Sequence, residues 1–95
     1  MIVLFYERLK ILRKAYRVSQ KDLAKPLHVS KQTVSNWENG NITPSVEMLM
    51  KIADFFHVST DYLLGLDDRV CLEVTNLSIE KVSLIQQIVN DMKKI

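Results

Sequence analysis

Apolar residues return along this chain at helical intervals. Phe5, Leu9, Leu12 and Tyr16 step by four, three and four residues. That is one face of a helix predicted over about residues 3–16, with Glu7, Arg8, Lys10, Arg13 and Lys14 on its other sides. A second set, Leu23, Ala24 and Leu27, follows Ser19, and Asp22 three residues further makes a capping-box-like start. Pro26 has no N–H to give the Asp22 carbonyl, so the last turn of this helix is expected to loosen. Ser30 opens a third helix, with Val29 and Val34 as a hydrophobic staple and Val34 and Trp37 on one face. Asn39-Gly40 closes it. A fourth helix starts with Thr43 or Ser45 as cap around Pro44, and its inner face is Val46, Leu49, Ile52, Ala53 and Phe56. Ser59 caps a fifth, stapled by Val58 and Leu63 and ended by Gly65. Residues 66–77 have no helical period and read as a linker. Ser78 then caps a final helix, stapled by Leu77 and Val82, on which Ile79, Val82, Ile85, Val89 and Met92 form a stripe that Leu77 and Ile95 extend.

The expectation is an all-α chain: five helices in one domain over 1–66, a linker over 67–77 and a C-terminal helix over 78–95. The predicted core is Leu9, Leu12, Leu23, Ala24, Leu27, Val34, Trp37, Leu49, Ile52, Ala53, Phe56, Tyr62 and Leu63. Composition sharpens this. With two Gly and two Pro in 95 residues, the chain lacks the turn residues of an all-β fold. The formal charge is +2, split unevenly: residues 1–65 carry nine Lys/Arg against six Asp/Glu, and residues 66–95 carry four against five. Any nucleic-acid contact therefore rests on placed residues rather than bulk charge.

Other chemistries are thinly represented. A single cysteine, Cys71, excludes an internal disulfide and reads as a packing thiol. His28 and His57 lie far apart and offer no metal spacing. The longest apolar run, Ile2 to Phe5, is too short for a signal segment or a membrane span, so a cytoplasmic chain without a membrane partner is expected. No acid–base pair, phosphate loop or metal cluster suggests an enzyme, a metal or a cofactor.

The second and third helices are joined by Leu27-His28-Val29 alone, with the small Ala24 at their crossing, as in a helix-turn-helix unit. The outward face of the third helix is Lys31, Gln32, Ser35 and Asn36, none of them apolar. Gln and Asn can bond adenine N6 and N7 with two bonds, and Lys can reach guanine O6 and N7. Gln20 opens the second helix, where free N–H groups and the positive dipole end suit a phosphate. Lys21, Asn41 and Thr43 are weaker phosphate candidates.

The stretch SQKDLAKPLHVSKQTVSNWENG resembles the Cro/repressor helix-turn-helix family, the phage-repressor and Xre-like group. The resemblance continues through ITPSVEMLMKIADFF and VSTDYLLGLDD and covers about two thirds of the chain. It implies a five-helix lambda-repressor-like DNA-binding domain. It also implies that Gln20 and Asn39 hold the phosphate backbone, that Lys31, Gln32, Ser35 and Asn36 face base edges, and that Arg13 pairs with Glu38; Ser30 at the helix start is a further phosphate candidate. His28 stands where the family usually has Gly, and Pro26 beside it is atypical. The implied function is a transcriptional regulator, a repressor on an inverted-repeat operator in double-stranded DNA. Val82, Ile85, Val89 and Met92 either make it a homodimer or pack on the chain's own domain. A second reading is an antitoxin that neutralises a toxin and regulates its own operon. At this length no self-cleaving domain is expected, so induction calls for an antirepressor or a protease as partner.

Overall fold

In the computed structural model, which describes residues 4–94, five of the six helices begin on a serine. The helices are α1 (Phe5–Ala15), α2 (Gln20–Leu27), α3 (Lys31–Glu38), α4 (Val46–Phe56), α5 (Thr60–Leu63) and α6 (Ile79–Met92). No strand occurs among the described residues. The expected first helical residue, 3, and the stripe's extension at 95 lie outside them. Ser19, Ser30, Ser45, Ser59 and Ser78 each accept, on the side-chain oxygen, the backbone N–H three residues on, at 3.0, 3.0, 3.2, 2.9 and 3.3 Å. Each satisfies one orphan donor of a first turn. Of the two caps open for α4, Ser45 is the one used.

The ends of α1 to α5 repeat one device. Arg17, His28, Gly40, His57 and Gly65 take left-handed φ values of 57°, 56°, 75°, 55° and 79°. The N–H of the residue after each reaches back five residues, as from Val29 to the Ala24 carbonyl at 3.2 Å and from Val58 to the Ala53 carbonyl at 3.0 Å. This is the Schellman closure, and three of its five left-handed positions are filled by residues other than glycine. The same closure ends α2 at Leu27, so Pro26 does not loosen the final turn as expected. It gives up only the bond to the Asp22 carbonyl, at an exposed position.

Leu9, Leu12, Leu23, Ala24, Leu27, Val34, Trp37, Ile52, Ala53, Phe56 and Leu63 form the core, drawn from all of α1 to α5. Five positions differ from expectation. Leu49 and Tyr62 are half-buried. Val46 is 73% exposed, because it lies in the first turn of α4, where buried Pro44 takes the inward place. Tyr16 is at the rim: its ring meets Phe56 edge-on at 5.2 Å and its hydroxyl donates to the Phe56 carbonyl at 3.0 Å. Arg8, placed by periodicity on a polar side of α1, is buried.

Residues 67–77 contain no helix. Asp67 accepts the Arg69 N–H at 2.9 Å and its guanidinium at 2.9 and 3.2 Å, which holds the Asp67 carboxyl below the usual carboxylate range. Val70, Leu72 and Val74 line an apolar groove of about 260 Å³ with Val82, Ile85 and Val89 of α6. No residue of α6 is fully buried.

Candidate nucleic-acid interface

The turn between α2 and α3 is made by His28, whose left-handed backbone redirects the chain while its ring stays exposed. Such a conformation costs a non-glycine residue about 1–2 kcal/mol, so packing on both sides must hold it. Ala24 is 4% exposed, and Val34 and Trp37 are 0% and 3% exposed. These residues seat α3 on α2 and α1.

A polar bracket secures the far end of α3. Glu38, its last residue, has a side chain only 1% exposed. The Arg13 guanidinium grips it with Nε to Oε2 at 2.5 Å and Nη2 to Oε1 at 3.0 Å. Nη1 of Arg13 donates to the Val18 carbonyl at 2.9 Å, and the Gln20 amide donates to Glu38 Oε1 at 3.2 Å. The carboxylate thus ties α3 to α1 and to the first residue of α2, and Arg13 carries the tie on to the α1–α2 connection. Bidentate, charge-assisted bonds of this kind are short and directional. The bracket fixes the pitch of α3 from beneath.

Lys31 and Gln32 are exposed on the outer face of α3, and Ser35 and Asn36 are half-buried beside them. The Gln32 amide donates to Asn36 Oδ1 at 3.1 Å, and the Asn39 amide donates to Ser35 Oγ at 3.3 Å. Two rows of polar groups therefore run one turn apart with their orientations linked. Ser30 Oγ, besides capping α3, lies 2.9 Å from Thr33 Oγ1. Lys21, Asn41 and Thr43 are exposed on the flanks. Gly40 is doubly constrained, since a Cβ there would also sit 3.3 Å from the Tyr6 ring. Sequence reasoning missed Tyr6 and Arg8, both off the main apolar face of α1.

His57 and exposed Cys71 line a shallow groove with Leu72 and Glu73. No group of His, Cys, Asp or Glu arranged to hold a metal occurs among the described residues. Among them, no helix is long and apolar enough to cross a membrane.

A family model for the helix-turn-helix matches residues 9–63, more than half of the chain and all of the bracketed unit. The chain belongs to the helix-turn-helix family. It is 38% identical over 71 residues to the transcriptional activator BcrR of Enterococcus faecalis, covering 75% of this chain and 35% of that protein. It is similar to the P22 c2 repressor solved with a synthetic operator, at 34% identity and a TM-score of 0.65, over 68% of this chain and 98% of that one. A transcriptional regulator from Listeria innocua matches at 27% identity and a TM-score of 0.65 over 99% of this chain and 96% of that one, so the likeness extends beyond α5. The fold also recurs as 39% of an enzyme chain, hydroxypropylphosphonic acid epoxidase of S. wedmorenis, at 31% identity and a TM-score of 0.59. The chain spans 35%, 49% and 58% of the length of the first curated relatives that it matches.

Proposed function

We propose that the chain is a cytoplasmic, sequence-specific DNA-binding regulator of transcription, a repressor that binds an inverted-repeat operator as a homodimer, and not an enzyme. The observation that carries this reading is the outer face of α3, a polar surface fixed from below by the Arg13–Glu38–Gln20 bracket. A helix in the major groove needs rigid placement and side chains able to donate and accept at base edges. Lys31, Gln32, Ser35 and Asn36 read bases. Gln20, Ser30 and Asn39, flanked by Lys21, Asn41 and Thr43, hold phosphates. The P22 c2 repressor, solved on operator DNA, supports the repressor reading.

A small module with a front charge of nine against six makes few phosphate contacts, so pairing two modules is what gives useful affinity. The arm supplies the pairing. Leu84, Ile88 and Met92 stand four residues apart on α6 and are 59%, 59% and 68% exposed. They flank Val82, Ile85 and Val89, which are half-covered on the linker side. A two-fold contact through this broad apolar arc removes it from water and sets two α3 helices about 34 Å apart, one DNA turn.

Binding-site selection from random duplexes, with sedimentation of the same chain, tests the proposal. Recovery of an inverted repeat with half-sites about 10 bp between centres, bound by a dimer, is the expected result. Recovery of no common sequence contradicts it.

A further inference from the structure

Two charged residues are buried among the described residues, Glu38 in the bracket beneath α3 and Arg8, which plays no part there. Arg8 is 7% exposed. Its guanidinium lies 4.4 Å from the centre of the Tyr62 ring. Nη1 donates to the Tyr62 carbonyl at 3.0 Å and to the Asp67 carbonyl at 3.1 Å, and Nη2 pairs with the Asp68 carboxylate. Nε is buried without a partner, so the side chain is held in place at the expense of one donor. The partners are 54 to 60 residues away in sequence.

The location of these contacts is informative. The Tyr62 carbonyl belongs to the last turn of α5 and also accepts the Gly65 N–H at 3.1 Å, so the Arg8 guanidinium takes its second acceptor site. Asp67 and Asp68 are the first residues of the linker. One planar fork thus joins α1, the end of α5 and the root of the arm, a geometry that the point charge of a lysine does not reproduce. Past Asp68 the linker runs beside Tyr16 and His57 in an open groove, with no hydrogen bond to the body among the described residues.

We infer that Arg8 is a positioning residue that sets the direction in which the arm leaves the DNA-reading body, and thereby the half-site spacing that the dimer accepts. The inference rests on the proposed DNA binding and on dimerisation through α6. Without a fixed root, an eleven-residue linker would let the two bodies adopt many separations. With one, and with Val70, Leu72 and Val74 packed along α6, the arm leaves in fewer directions and the range of α3 separations narrows.

The test uses the full chain as wild type, Arg8→Met and Asp68→Lys. The second variant alters a side chain that is 91% exposed, so it sets a like charge against the Arg8 guanidinium in place of the ion pair without touching the core. Backbone ¹⁵N relaxation reports whether α6 tumbles with α1–α5. In wild type it does, and in both variants α6 reorients separately while α1–α5 keep their spectrum. Affinity is then measured on inverted repeats whose half-site centres differ by single base pairs. Wild type favours one spacing by about tenfold, and in the variants the preference falls to about threefold or less, judged by ratios within each protein. A wild type that binds DNA while its arm tumbles freely overturns the inference, and so do variants that keep the wild-type spacing profile. A wild type with a rigid arm that binds no inverted repeat contradicts the DNA reading and ends the spacing claim with it.

Discussion

The body, α1 to α5, and the arm that follows it are both rich in apolar residues, yet they use them in opposite ways. The body buries eleven apolar side chains in one cluster, whereas α6 buries none fully. Val70, Leu72, Ile79, Leu84, Ile88 and Met92 of the arm are all more than half exposed. The difference is one of partners rather than composition. Helices α2 and α3 pack on each other and on α1 and α4, while α6 lies against the short extended segment that carries Val70, Leu72 and Val74. An isolated helix of this length is marginal in water, so the arm depends on what covers its open arc and on how its root is tied.

Substitutions can break this contrast, beginning with the largest effect. Trp37→Ala, a buried aromatic truncation in the body, should lower stability by about 3–5 kcal/mol in chemical denaturation. Ile88→Asp in the arm should leave unfolding of the body within about 0.5 kcal/mol of wild type while shifting sedimentation toward monomer. A large loss of body stability from Ile88→Asp would mean that the arm is part of the core. Glu38→Ala leaves the Arg13 guanidinium without its carboxylate and should destabilise by about 3 kcal/mol or more, with DNA binding weakened in step. Arg17→Gly and His57→Gly relieve left-handed strain at two helix ends of the body and should each raise stability by about 0.5–1 kcal/mol in thermal melts. The smallest effect belongs to the arm. The Asp67 carboxyl is held low by Arg69, so its contribution is present above the usual value of 3.8 and is lost as pH falls through the lower folded value. The Arg69 amide resonance should therefore be unchanged from pH 8 to pH 5 and shift only in stronger acid.

Much of the fold was legible from local chemistry. Ser19, Ser30, Ser59 and Ser78 announced helix starts because a hydroxyl followed by an apolar run has few other uses. Trp37, Val34 and Leu23 were readable as core because their spacing fits one helix face. What escaped required knowledge of neighbours. Arg8 falls on a polar side of α1 by period, and only the return of Tyr62, Asp67 and Asp68 to that side buries it. Val46 has the right period but sits one turn too early to meet the core. Arg17 and His57 carry none of the glycine signal of a left-handed cap, although a valine directly after each was a usable hint. Leu84 and Ile88 were overlooked on α6 because the stripe through Val82, Ile85 and Val89 already satisfied the helical period. In the candidate interface, residue types on α3 were legible, but the mutual bonds of Gln32 with Asn36 and of Gln20 with Glu38 depend on rotamers that no spacing specifies.

The central claim is that α3 reads sequence while the start of α2 grips the backbone. Competition binding of Gln32→Ala and Gln20→Ala, each on the selected operator and on random duplex at one salt concentration, tests it most directly. Gln32→Ala should lose about 1–3 kcal/mol on the operator and little on random DNA, whereas Gln20→Ala should weaken both together. Equal ratios of operator to random affinity in the two variants would contradict the division into reader and clamp.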